Sequence, residues 1–189
     1  MENRVKTYKT FDAKILAKMA LMLSLIIVSG MITIPIPALG VPIVLQNMFI
    51  MLTAGFLGKK YGFWTIAMFL CLVSMGLPLL AGGRGGIVLL FSPSGGFLIG
   101  YFFCSFIICS IVEKLGVKSY WRILIAYFIG GTIFINFMGS VTLAYYSHSS
   151  WWSGLKMAAF FLPIDTAKAI VAAIIYQRLK RYSFMGENR

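Results

Sequence analysis

Residues Phe161–Gln177 read FLPIDTAKAIVAAIIYQ. A helix needs about 17–25 mostly apolar residues to cross ~30 Å of hydrocarbon, and this run is apolar and long enough to do so. It nevertheless carries Asp165 and Lys168. A charge at the centre of a membrane helix costs about 2.5–3.5 kcal/mol on insertion scales, so such residues face a bundle interior and mark function. Positions three apart lie on one helical face, and both side chains therefore reach the same space. Two readings compete: a pair that lines a ligand pocket, and a mutually neutralising pair that only locks helices together. Polar groups elsewhere in the chain favour the pocket.

The whole composition agrees with a membrane setting. Of 189 residues, 60% are hydrophobic and 12% charged, with a mean hydropathy of +0.89; a soluble domain has no use for so much apolar surface. Six spans are expected, at about 14–34, 43–58, 62–80, 92–112, 121–144 and 158–177, giving an all-α integral membrane protein built as a single domain over 1–189. The net charge of +12 does not indicate nucleic acid, because the basic residues form no face or arm but sit between apolar runs. Fourteen of the 17 basic residues fall on one side: Arg4, Lys6, Lys9, Lys14 and Lys18, then Lys59 and Lys60, then Lys114, Lys118 and Arg122, then Arg178, Lys180, Arg181 and Arg189. The opposite loops hold Arg84 and Lys156, and Lys168 lies within a span. By the positive-inside rule both termini are cytoplasmic.

Several function classes are disfavoured. Cys71, Cys104 and Cys109 lie inside apolar runs without metal-ligand or redox spacing, so neither a disulfide framework nor a metal site is expected. The polar start and the long apolar run after it do not suit a cleavable signal peptide. No G-x-x-x-x-G-K-[ST] phosphate loop occurs, so ATP hydrolysis by that route would have to come from a partner. An intramembrane enzyme using Asp165 as a base has no second intramembrane carboxylate, Ser/His pair or metal cluster in its support, and no enzymatic activity or cofactor is expected.

Further candidate binding residues lie in the outer loops. The stretch LPLLAGGRGGIVLLFSPSGGFLIGY, 77–101, places Gly83 and Gly85 about Arg84 and sets Ser92 before Gly95 and Gly96. Glycines let backbone N–H groups approach an anion, and Arg84 offers a forked donor suited to a carboxylate; a merely flexible connection is the alternative. The apolar run 87–91 is expected to fold back as a lid. In TIPIPALGVPIVLQN, 33–47, Pro35, Pro37 and Pro42 forbid regular helix, while Gln46 offers an amide to a polar ring or to local backbone. Asn136, inside the fifth span, is a similar candidate. Ala13 and Ala17 form an A-x-x-x-A pair at the cytoplasmic end of the first span, and such spacing lets another helix come close.

Taken together, VPIVLQ (41–46), GLPLLAGGRGG (76–86), SPSGGFLIGY (92–101) and DTAK (165–168) resemble the BioY family, over nearly the whole chain. The chain departs from the family's usual pattern at Val44, commonly Thr, and at 92–97, commonly G-P-T-G-G-Y. BioY proteins are biotin-specific substrate-capture (S) components of energy-coupling-factor (ECF) transporters. The resemblance implies capture of biotin from outside and ATP-driven release inside. It also implies a membrane coupling (T) subunit and two ATPase subunits as partners, with Ala13 and Ala17 docking onto the coupling subunit, in a prokaryotic plasma membrane. An S component for another vitamin or small carboxylate is the neighbouring alternative.

Overall fold

The computed structural model describes residues 13–116 and 119–180; Arg4, Lys6, Lys9, Lys118, Arg181 and Arg189, used above for orientation, lie outside them. The described chain is almost wholly helical. Helix α1 covers Ala13–Gly30, α2 Gln46–Ser74, α3 Gly95–Leu115, α4 Tyr120–Tyr127, α5 Phe134–Tyr146, α6 Trp151–Ala159 and α7 Leu162–Leu179. Strands β1 (Thr33–Ile34) and β2 (Ile43–Val44) pair antiparallel, with a short 3₁₀ turn at Pro37–Leu39 between them. The three prolines of this stretch exclude a regular helix there, as expected.

Six membrane legs are present, although length and hydropathy alone pick out fewer. Four helical runs qualify singly: α1, α2, α3 and the continuous Tyr120–Tyr146. A fifth is α6 with α7, bent by 49° at their junction. The sixth arises because α2 is broken at Gly58, whose backbone sits at φ 72°, ψ −173°, a region open essentially to glycine alone. There the chain folds back. A Cβ placed on Gly62 would lie 3.3 Å from the Ala54 Cα, whereas eight residues of straight helix would separate the two by about 12 Å. The adjacent Lys59 and Lys60, which mark a loop in the sequence, mark this fold-back in the structure.

Helix edges shift a few residues from the expected ones. The first span stops at Gly30 because the β1–β2 hairpin follows, and the last begins at Leu162 because α6 occupies the preceding turns. Ser150 caps α6, its hydroxyl accepting from the Ser153 N–H at 3.4 Å. From Tyr120 to Tyr146 the helix is interrupted by a π-helical turn at Phe128–Ile133. Gly130 and Gly131 in this turn let the backbone close on Ile108 and Met51, whose side chains a Cβ would strike.

On the last helix the packing is that of a membrane bundle, with mainly small residues inward and branched apolar residues outward. On α7 the buried positions are Asp165, Lys168, Ala169, Ala172, Ala173 and Tyr176, spaced by threes and fours along one face. Ile170, Val171 and Ile174 are exposed. A stripe of Ile125, Ile129, Ile133, Phe137 and Val141 is likewise exposed along α4 to α5. Alanine faces bring backbones close enough for dispersion and hydrogen bonding to hold the helices, since lipid supplies no hydrophobic drive.

Candidate functional site

Where the two connecting loops meet the bundle there is a cavity with about 550 Å³ of empty space, its open mouth included. Asp165 and Lys168 lie on its wall, as do Gln46, Asn47, Arg84 and Tyr101. Phe97, Leu98, Ile135 and Phe161 give it apolar sides. The β1–β2 connection contributes Val41–Val44, and the second loop contributes Leu80, Ala81 and Arg84.

Asp165 is the hub. Its Oδ1 accepts from Asn47 Nδ2 at 2.7 Å and from Lys168 Nζ at 2.8 Å, and its Oδ2 accepts from Asn136 Nδ2 at 2.8 Å. The main-chain oxygen of the same residue accepts from Thr132 Oγ1 at 3.2 Å, and Asn136 Nδ2 also donates to the Thr132 carbonyl at 2.9 Å. Asp165 is 5% and Lys168 8% exposed. A buried carboxylate is tolerable because charge-assisted bonds replace its hydration. The π-helical turn has a role here: Thr132 lies in it and Asn136 one turn beyond, and both meet α7. Three lone-pair sites of the carboxylate are filled, so of its roughly four one remains on Oδ2. Lys168 keeps two N–H groups beyond the one given to Asp165.

The structure distributes the other sequence candidates unevenly. Gln46 lines the cavity, but its Nε2 donates to the carbonyls of Ile26 at 3.0 Å and Leu79 at 3.1 Å, tying α1 and the second loop to α2. Arg84 borders the cavity with its Nε donated to the Ala81 carbonyl at 3.0 Å. Among the described residues the other carboxylates are Asp165, held by Lys168, and Glu113, beside Lys59, so none pairs with Arg84. The glycines do not form an anion nest around the cavity. The N–H of Gly83 donates to Leu80, that of Gly95 to Ser92 and that of Gly96 to Thr142 Oγ1. Gly85, Gly95 and Gly96 are instead sites of close backbone approach, to Leu77, Leu90 and Met138. Ser92 closes a local turn, donating to the Leu89 carbonyl at 2.7 Å and accepting from the Ser94 N–H at 3.2 Å. The run 87–91 forms a 3₁₀ turn with Val88 and Phe91 exposed and does not border the cavity; the part of that loop that does is Leu80–Arg84.

Tyr101 is a site residue that the sequence reading did not single out, while Asn47 and Ser94 stand beside its candidates in the stretches 33–47 and 77–101. Asn47 had a visible signal, a second amide beside Gln46, but its partner is 118 residues away. Ser94 borders the cavity with its hydroxyl buried and unpartnered. Ala13 and Ala17 are both exposed on α1, so they are not consumed in packing within the described bundle.

The comparisons fit this architecture. The BioY family model matches residues 1–184. The biotin transporter BioY of Lactococcus lactis subsp. cremoris (strain MG1363) is 38% identical over 172 residues, covering 89% of this chain and 91% of its own. The biotin transporter BioY of Thermotoga maritima is 35% identical, covering 88% and 95%. A crystal structure of the S-component for biotin from an ECF-type ABC transporter superposes with a TM-score of 0.86 at 37% identity, covering 96% of this chain and 95% of that one. With nearly the full length matched in sequence and in fold, this chain belongs to the BioY family.

Proposed function

We propose that this chain is the substrate-capture subunit of a biotin uptake transporter. The observation that carries the reading is the buried Asp165–Lys168 pair on the wall of a cavity in a BioY-family bundle. Biotin offers a ureido group with two N–H donors and one acceptor, an apolar thioether ring and a valerate carboxylate. A ureido N–H fits the open lone pair of Asp165, and the adjacent ureido oxygen fits a free N–H of Lys168. Phe97, Ile135 and Phe161 enclose the ring. The carboxylate falls to Arg84, since the N–H groups of Gly83, Gly95 and Gly96 are engaged within the protein. Gln46 and Asn136 support the site rather than touch the ligand's charge, and Gly85 and Ser92 shape the loop.

Both termini are assigned to the cytoplasm, so that the cavity opens outward in the plasma membrane. The chain acts as one six-helix domain that carries no phosphate loop, so inward release is driven by an ECF module. The exposed Ala13 and Ala17 dock on its coupling subunit, and two ATPase subunits supply the energy. The test is equilibrium binding of biotin to the purified, detergent-solubilised protein, with riboflavin, folate and thiamine as controls. Selective binding of biotin is expected; properly folded protein that ignores biotin refutes the substrate. Binding of another of the vitamins instead would move the assignment to a different S component.

A further inference from the structure

The ligand cavity shares Arg84 with a neighbouring space. A second hollow of about 660 Å³, its open mouth included, adjoins it between the β1–β2 connection and the Ala81–Arg84 turn. Val41, Pro42, Ala81 and Arg84 border both spaces, so the two lie side by side with Arg84 between them. We propose that this vestibule is a subsite for biotin held in amide linkage, so that the protein takes ligands extended beyond the carboxylate as well as the free acid. The inference rests on the biotin reading given above.

Three features carry it. The recognition of the ureido end by Asp165 and Lys168 makes no use of the carboxylate, so a ligand modified at the far end keeps its strongest anchors. Arg84 stands between the two spaces, so movement of this one long side chain would join them and admit a ligand longer than the acid. The vestibule wall is also suited to a neutral chain. Pro35, Pro37 and Pro42 lack N–H groups, Ile36 and Val41 are apolar, and no acidic or further basic side chain borders it. Thr33 lines this wall, and its hydroxyl is buried without a hydrogen-bond partner among the described residues; a small rotation of the side chain would let it accept an amide N–H. An amide carbonyl can accept from Arg84 where the carboxylate would.

The test compares biotin with its N-butyl amide on the intact protein, and repeats both on Thr33→Trp. Strand residue Thr33 pairs with Val44, and an aromatic side chain is compatible with a strand while filling the vestibule. Because a charge-assisted bond is roughly twice as strong as a neutral one, the amide is expected to bind the wild type within about thirtyfold of biotin. Thr33→Trp is expected to weaken the amide by about tenfold or more while moving biotin by less than about threefold, a separation of at least about 0.7 kcal/mol in the affinity scale. A wild type that binds biotin but loses more than about thirtyfold for the amide overturns the vestibule alone, and this ratio decides even if Thr33→Trp does not fold. Equal weakening of both ligands by a folded Thr33→Trp also overturns it. Folded wild type that binds neither ligand refutes the biotin reading from which the proposal starts.

Discussion

Replacing Asp165 by Asn, alone and together with Lys168→Met, separates the two explanations of a charge pair in a membrane helix. In the single variant Lys168, 8% exposed, loses its carboxylate at 2.8 Å, and no other described carboxylate is near enough to replace it. Asn47 and Asn136, which donate to the carboxylate at 2.7 and 2.8 Å, then compete for one amide oxygen, and the new NH₂ meets donors. Breaking a buried pair in this way costs about 3–5 kcal/mol, or roughly two to three and a half orders of magnitude if it appears in binding. The double variant removes both charges with little change of volume and leaves no unpaired buried charge, so the larger part of that cost is regained although the new amide still faces Asn47 and Asn136. Thermal unfolding in detergent and equilibrium biotin binding are measured on all three proteins. Stability should fall in Asp165→Asn and recover in the double variant, while biotin binding is lost in both. If the pair only locked helices, binding would return with stability. A double variant that binds biotin within about threefold of wild type, a difference under about 1 kcal/mol, therefore refutes the role of the pair in the ligand site.

Asn136→Leu removes one charge-assisted bond to Asp165 and should weaken biotin binding by about tenfold to a hundredfold, from roughly 1.5–3 kcal/mol for such a bond; unchanged affinity in titration removes Asn136 from the site. Arg84→Met should weaken free biotin markedly and biotin methyl ester much less, because only the acid carries a charge for the guanidinium; equal losses would contradict the carboxylate assignment. Gly58→Ala forces a Cβ into backbone at φ 72°, ψ −173° and should cost about 1–3 kcal/mol, read as a lowered melting temperature. Cysteine-labelling from either side of sealed vesicles should place residues 178–180 on the same face as Lys59 and opposite Arg84; labelling of Arg84→Cys from the Lys59 side would reverse the proposed topology.

Much of the bundle was legible because it depends on local periodicity. Apolar runs of sufficient length announce spans whatever their neighbours, and Lys59 with Lys60 divides what hydropathy alone joins into a 29-residue helix. The facing of Asp165 and Lys168 was legible for the same reason: a helix turns 100° per residue, so three positions return nearly to the same side, and Ala169, Ala172, Ala173 and Tyr176 extend that side inward. The glycines were not legible in this way. A glycine that binds an anion and one that admits a neighbouring backbone look alike in sequence, because the difference lies in what faces it, here Leu77, Leu90 and Met138.

The sequence by itself thus determined the membrane class, the number of legs and the residue types on the polar face of the last helix, since each follows from covalent order and helical pitch. Only the tertiary structure decided which donors meet Asp165. Asn47 and Asn136 reach it from 118 and 29 residues away, and they do so because a buried carboxylate in a dry bundle must find fixed donors in place of water. Their convergence required the fold-back at Gly58, the π-helical turn beside Thr132 and the close packing of small residues to hold all three helices in register.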